Sequence, residues 1–469
     1  MAKEPMGDVI VLLPGILGSV LERDGEEVWA PSPGAIGRAL WSLGRSVTTL
    51  ALDGDPWETD DLGDGVVATR LMPGIHIVPG LWGIDIYSGI SAMIREHFDV
   101  VPGETYVEFA YDWRRDNRVA ARRLRRLVDE KLHARRSVNP GAKVILIGHS
   151  MGGLVARWFL ECMDGWRDTR MLITFGTPHR GSVNAVDFLV NGLVKKVGPL
   201  KVADLTTLLR SLTSVYQLLP IYPCIDMGDG YRRVAEMADE LPGVDASRAT
   251  SALEDFHRAI EAGVGRREPD AYTIHSVVGI TQGTKQSARW DGSHLVVERS
   301  HGGEDMGGDG TVPRVSATPL ETDDAPSYQP MYSSEQHGSL QTAEAVRTQL
   351  LGILTARPRP GFRAAQGIRL DADDVLAAGE SLVVGAWPDL PNLTLQASVV
   401  DVATGRPIGP PSTMRRDADD VHHAELAPLP TGDYRLRVEA VGDSAGLADP
   451  VHGLVCVLDD RPPDDEPAP

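Results

Sequence analysis

The chain has 469 residues, 42% of them hydrophobic and 24% charged, with a formal net charge of −20. That balance belongs to a globular protein with a substantial core, in two or three domains or one large domain with an appendage; the acidic surface excludes nucleic acid as a partner and weakens adhesion to anionic membranes. Cys162, Cys224 and Cys456 lie far apart without CxxC or Cys/His metal spacing, which excludes a disulfide framework and predicts reduced thiols, no metal and no cofactor.

Val9 to Leu21 is apolar enough to pass for the core of a signal peptide. Glu4 and Asp8 stand where a basic region belongs, however, and Pro14-Gly15 interrupts the run. Val9 to Leu13 is therefore predicted as a buried strand, and with no run long enough to span a membrane a cytoplasmic location is expected. Further on, Ile84 to Phe98 reads as helix, Tyr106 to Trp113 as strand and the arginine-rich Arg114 to Arg136 as an amphipathic helix. That helix is a basic island, either a solvated face or a patch for a membrane surface or an acidic partner. Lys143 to Ile147 is a continuous apolar strand, Gly152 to Met163 a helix and Met171 to Phe175 a strand; Tyr272 to Ile280 and a helix from Ser339 to Thr355 complete the series. The alternation predicts an α/β fold with a doubly wound, mostly parallel sheet covered on both faces.

Two insertions interrupt that rhythm, at about 22–82 and 185–268. The first carries Trp29, Trp41, Trp57 and Trp82, and the second opens with leucines and valines. Segments of this length are expected to cap a site, although the second also reads as a helical part of the core. The α/β unit with its caps spans 1–357, a linker 358–368 follows, and evenly spaced short strands over 369–458 predict an all-β, Ig-like sandwich. Residues 459–469, acidic and proline-rich, read as a disordered tail.

Gly148-His149-Ser150-Met151-Gly152 joins the Lys143–Ile147 strand to the next helix, the context required of a G-x-S-x-G nucleophile elbow. A serine needs a base and an orienting acid, in the chain order Ser, Asp, His. Asp309, in Gly308-Asp309-Gly310-Thr311, is the candidate acid, ahead of Asp305, Asp323 and Asp324. His337 is the candidate base, ahead of His301, which precedes the acid. The backbone N–H groups of Met151 and of Ile16, in the glycine-rich turn Pro14 to Gly18, are the candidate oxyanion donors. Leu17, His149, Trp113, Arg114, Leu189 and Leu193 are the candidate substrate contacts. For Arg114 two readings stand, a phosphate ligand or a structural brace with Asp112.

Leu13-Pro14-Gly15-Ile16-Leu17-Gly18-Ser19, Tyr111-Asp112-Trp113-Arg114, Gly148-His149-Ser150-Met151-Gly152-Gly153, Phe175-Gly176-Thr177-Pro178-His179-Arg180-Gly181-Ser182, Gly308-Asp309-Gly310-Thr311-Val312-Pro313 and Gln336-His337 occur in this order. Together they resemble the lecithin:cholesterol acyltransferase family, whose relatives include lysosomal phospholipase A and the phospholipid:diacylglycerol acyltransferases. The resemblance implies an α/β-hydrolase fold, a Ser150–Asp309–His337 triad and oxyanion amides at Ile16 and Met151. It also implies a serine hydrolase or O-acyltransferase acting on phospholipid or other acyl esters. The expected partners are an acyl-ester lipid, a membrane surface met through the apolar caps and a protein at the C-terminal sandwich. Two alternatives are an effector or adaptor switched by such a partner and a general carboxylesterase.

Overall fold

Six parallel strands carry the first part of the chain: β1 (Val9–Leu13), β2 (Tyr106–Glu108), β3 (Val144–His149), β4 (Thr169–Phe175), β5 (Thr273–Gly279) and β6 (Met331–Ser333). They lie in the order β6-β5-β4-β3-β1-β2, every neighbouring pair parallel. The order reverses between β1 and β3, so the loops leaving these two strands diverge around a crevice, the usual ligand position in such sheets. The computed structural model describes residues 3–30, 50–72, 75–78, 82–84, 87–197, 200–268, 271–323, 328–355, 367–417 and 421–458. Trp41, Asp324, residues 358–366 of the expected linker and the expected tail 459–469 lie outside them.

Strand alternation explains why β1, and β3 as far as Ile147, are apolar. Val9, Val11, Leu13, Val144 and Leu146 face one core with α2 (Asn117–Arg136) and α3 (Met151–Cys162). Ile10, Leu12, Ile145 and Ile147 face a second core with α1 (Tyr87–His97) and α5 (Glu344–Leu354). A strand buried on both faces has no polar side to display. α2 starts at Asn117 because the Asp116 carboxylate accepts the Arg118 N–H as its N-cap. The expected helix 339–355 is divided: a 3₁₀ segment, His337–Thr342, precedes α5, and Ala343 between them is extended.

The basic island is met in part from the first insertion. Asp55 pairs with Arg115, and Asp60 with Arg122 and Arg126, while Trp57 stacks on the Arg118 guanidinium. The second insertion opens with α4 (Val183–Val190), whose residues join the core beside α3. No helix among the described residues is long and apolar enough to cross a membrane. Cys162, Cys224 and Cys456 are free thiols.

From Ile368 the chain forms two further sheets. β7 (Ile368–Ala372), β9 (Leu382–Pro388), β12 (Arg415–Arg416) and β13 (His422–Leu426) make one, in the order β7-β9-β13-β12. β8 (Val375–Ala377), β10 (Leu395–Asp401), β11 (Ser412–Thr413), β14 (Gly432–Ala440) and β15 (Val451–Leu458) make the other, in the order β8-β15-β14-β10-β11, antiparallel except for the β8–β15 edge. Inward residues of both sheets, among them Leu370, Val384, Leu395 and Leu436, share one apolar core.

Buried neutral histidines set an acid limit on this fold. Burial pushes His257, whose Nε2–H donates to Gln217 O at 2.8 Å, down to about 4, and holds His149 and His179 well below the usual range. Each imidazole binds a proton more readily in the unfolded chain, so its contribution is fully present above pH 6.5 and is lost as pH falls toward the folded value. His257 alone accounts for about 3 kcal/mol on this basis. Thermal scans from pH 7 to 4.5 are expected to show a falling Tm, with a shallower slope in His257→Gln, which keeps a donor for Gln217 O. Equal slopes in the two proteins would remove His257 from the account.

Candidate active site

The turn after β3 is set by steric exclusion. A Cβ on Gly148 would lie 2.7 Å from Gly153 Cα, and one on Gly152 would lie 2.4 Å from Pro14 O. Ser150 between them has φ 51° and ψ −125°, a strained conformation for a residue with a side chain, and its N–H is anchored on Phe175 O at 2.8 Å. The strain places the hydroxyl at the crevice beyond the C-terminal ends of β1 and β3, where α3 begins.

His337 leaves β6 on a short loop and brings Nε2 to 2.9 Å from Ser150 Oγ. Its Nδ1 is 2.7 Å from Asp309 Oδ2. Asp309 Oδ1 accepts the N–H groups of Thr311 and Val312 at 2.9 and 2.7 Å, which fixes the carboxylate by its other oxygen. All three side chains are buried. With Asp309 ionised, Nδ1 carries the imidazole proton and Nε2 is free to accept one from serine.

The competing residues are engaged elsewhere. Asp305 accepts Gln286 Nε2–H, Asp323 pairs with Arg180, and His301 stacks on Tyr231 with Nε2 on Pro223 O.

Ile16 sits in a turn closed by Gly18 N–H on Gly15 O, and a Cβ on Gly15 would lie 3.0 Å from Ser150 Cβ. The N–H groups of Ile16 and Met151 have no partner among the described residues, although both residues are buried. Buried amides are rarely left unpaired, and two beside a nucleophile fit a place kept for an oxyanion.

Three aromatic residues hold this turn. Tyr111 O–H donates to Pro14 O, Trp113 Nε1–H to Ser19 O, and Trp29 Nε1–H to Leu17 O. Tyr87 does more: its oxygen accepts Gly15 N–H at 2.8 Å, so its single proton goes to His149 Nδ1 at 3.1 Å. His149 Nε2–H then donates to the backbone carbonyl of His337 at 3.3 Å. Burial, and next the neighbouring His337, keep His149 neutral, as this tautomer requires. One hydrogen-bonded chain thus links the turn at Gly15, the elbow and the loop of His337.

No sequence spacing ties residue 87 to 15 and 149, and Tyr87 escaped the sequence reading. Tyr87→Phe leaves Gly15 N–H and His149 Nδ1 without partners. It is expected to lower kcat about ten-fold with little change in KM, and Tm by a few degrees, in steady-state kinetics and calorimetry.

The residues expected to contact substrate are not those that line the space beside Ser150. Beside Ser150 is a cavity of about 20 Å³, lined by Ile16, Pro178, Ala185, Phe188, Leu209 and Val312 among others. None of Leu17, His149, Trp113, Arg114, Leu189 and Leu193 lines it. Leu17 and His149 serve the turn and the elbow as described, while Leu189 is wholly within the core and Leu193 at its margin. Arg114 is a brace: Asp112 grips the buried guanidinium at 2.7 and 2.9 Å, and Asp64 meets it at 2.8 Å. Among the described residues of the two insertions, those of the second contribute to the lining, through Ala185, Phe188, Leu209, Val215 and Leu218. In the described residues 50–72 of the first, Asp55 instead meets Arg115 and the Asp116 N–H just before α2, and Asp60 meets Arg122 and Arg126 on it.

Residues 87–245 match the lecithin:cholesterol acyltransferase family. A stretch of 127 residues is 30% identical to a human protein, lysosomal phospholipase A and acyltransferase, covering 25% of this chain. The match spans only 29% of that relative. The family resemblance read from the motifs therefore holds over that central part of the chain. Among solved structures, the lipase BlEst2 of Bacillus licheniformis in propeptide form is similar at 12% identity over 97% of this chain and 95% of that one, with a TM-score of 0.30. Its mature form is similar at 14% identity over 75% and 94%, also with a TM-score of 0.30.

Proposed function

We propose that the chain is a serine-dependent ester hydrolase and O-acyltransferase of the α/β-hydrolase fold, acting on lipid acyl esters. The observation that carries the reading is the hydrogen-bonded series Asp309–His337–Ser150 at the sheet's switch point, beside two unpaired amides and an apolar cavity. In this reading His337 takes the Ser150 proton as Oγ attacks the ester carbonyl, and Asp309 stabilises the imidazolium. Ile16 and Met151 N–H groups hold the oxyanion, each worth about 3 kcal/mol of barrier. His337 then protonates the departing alcohol, and the acyl-enzyme passes its acyl group to water or to a second alcohol.

The apolar lining favours acyl chains, and the family match over residues 87–245 favours a lipid ester. A cavity of about 20 Å³ holds roughly one water molecule. A long chain therefore enters only if the covering segment around Phe188, Leu209 and Leu218 swings aside, which would bring these apolar residues to a lipid surface. The same small volume favours a second reading, a carboxylesterase for short acyl groups. A cytoplasmic site of action goes with either reading, and the buried neutral histidines suit near-neutral pH.

Product analysis by mass spectrometry separates the two readings. The enzyme is given phospholipid vesicles, triglyceride emulsions and short esters, with and without a long-chain alcohol. Fatty acid and a new ester from the lipids are expected; turnover of short esters alone would leave the carboxylesterase reading.

A further inference from the structure

The C-terminal sandwich touches the loops that carry the candidate acid and base. Gln282, in the segment after β5, is buried, and its backbone N–H donates to Gly308 O at 2.9 Å beside Asp309. Its side-chain amide donates to Ser334 O at 2.5 Å, on the loop of His337, and to Ile368 O at 3.3 Å, on β7. The amide oxygen accepts Leu370 N–H at 3.3 Å, also on β7. One residue therefore joins the three: its backbone holds the acid loop, and its side chain holds the base loop and the first sandwich strand.

A second junction lies two residues before the base. The Glu335 carboxylate is buried and takes both of its contacts from β15: His452 Nδ1 at 2.9 Å and His452 N–H at 3.1 Å. A carboxylate so enclosed needs such partners, and no group of the α/β part supplies them among the described contacts. Its own N–H donates to Ser333 Oγ at the end of β6. Arg369 adds a third contact, donating to Thr281 O at 3.0 Å and lying 3.7 Å from Asp305, just before the acid loop. The two loops are themselves joined by His337 N–H on Asp309 O at 2.8 Å.

We propose that the sandwich is a positioning element of the active centre: through Gln282 and the Glu335–His452 pair it sets the spacing between Asp309 and His337. The proposal rests on Ser150, Asp309 and His337 being the catalytic residues. Such a role predicts a loss in the chemical step with substrate binding unchanged, because the groups moved are loop anchors outside the cavity.

The test uses the full chain with a para-nitrophenyl ester and a fluorophosphonate probe, well below the Tm of every variant. His452→Ala and Glu335→Ala are each expected to lower kcat about ten-fold with KM within two-fold, and to slow probe labelling by the same factor. Glu335→Gln is expected to stay within two-fold of the parent. Its amide oxygen accepts His452 N–H and its amide nitrogen donates to the other tautomer of the His452 ring. Unchanged kcat in His452→Ala and Gln282→Ala overturns the proposal, as does a loss that Glu335→Gln fails to rescue or that falls on KM. If His452→Ala does not fold, Arg369→Ala, whose side chain is 43% exposed, decides instead: about a three-fold loss of kcat supports the role, and none overturns it. Ser150→Ala separates the layers. Its retained turnover would sink the catalytic assignment, whereas an inactive Ser150→Ala beside fully active His452→Ala and Gln282→Ala sinks only the positioning role.

Discussion

Ser150→Ala is expected to lower kcat on an activated ester by about 10⁵- to 10⁶-fold and to abolish fluorophosphonate labelling, with the fold and Tm retained. The size follows from the arrangement. Ser150 Oγ stands 2.9 Å from His337 Nε2, so its removal leaves neither a nucleophile nor an acyl-enzyme. Alanine keeps the Cβ already accommodated at φ 51°, and the anchor from residue 150 N–H to Phe175 O is backbone, so the elbow survives. The candidate oxyanion amides of Ile16 and Met151 also remain, and a residual rate of about 10³- to 10⁴-fold over water is expected from them and from binding. His337→Ala should fall to a similar level and not add to the serine variant, because the two act as one unit. Labelling that persisted in Ser150→Ala would place the nucleophile elsewhere.

What could be read in advance divides by the range of the interactions involved. β3 was legible because both its faces are buried and the sequence shows it as an unbroken apolar run. Gly148, Ser150 and Gly152 were legible because a tight turn between strand and helix restricts residue type locally. The sequence predicts β2 as far as Trp113, but the strand ends at Glu108, because Tyr111 and Trp113 turn their polar tips to Pro14 O and Ser19 O, about a hundred residues away in the chain. No periodicity records such bonds. His149 looked like a substrate contact because it adjoins the serine, yet at the end of a doubly buried strand it faces Tyr87 and the base loop. The lining by Phe188 in place of Leu189 is a matter of the rotation of α4, since a segment apolar on most sides does not encode which side meets the cavity, while Leu193 lies beyond the end of that helix.

Asp309→Asn is expected to lower kcat by about 10⁴-fold with little loss of stability, a larger effect than its small change in shape suggests. The hydrogen bonds on Oδ1 explain it. Thr311 and Val312 N–H groups donate to Oδ1 at 2.9 and 2.7 Å and need an acceptor oxygen there. The asparagine must therefore keep its carbonyl there and turn its amide nitrogen toward His337 Nδ1. A donor at that place obliges Nδ1 to accept, so the imidazole proton moves to Nε2, where it faces Ser150 Oγ. The base is then in place but unable to take the serine proton, and nothing balances the imidazolium. The measurement is kcat against pH with Tm alongside, and partial recovery is expected at high pH, where hydroxide replaces the missing base. Asp305→Asn is the contrast: its carboxylate serves Gln286 Nε2–H and Gly307 N–H rather than a histidine, so activity within a few-fold of the parent is expected. Reversal of the two outcomes would transfer the acid's role to Asp305.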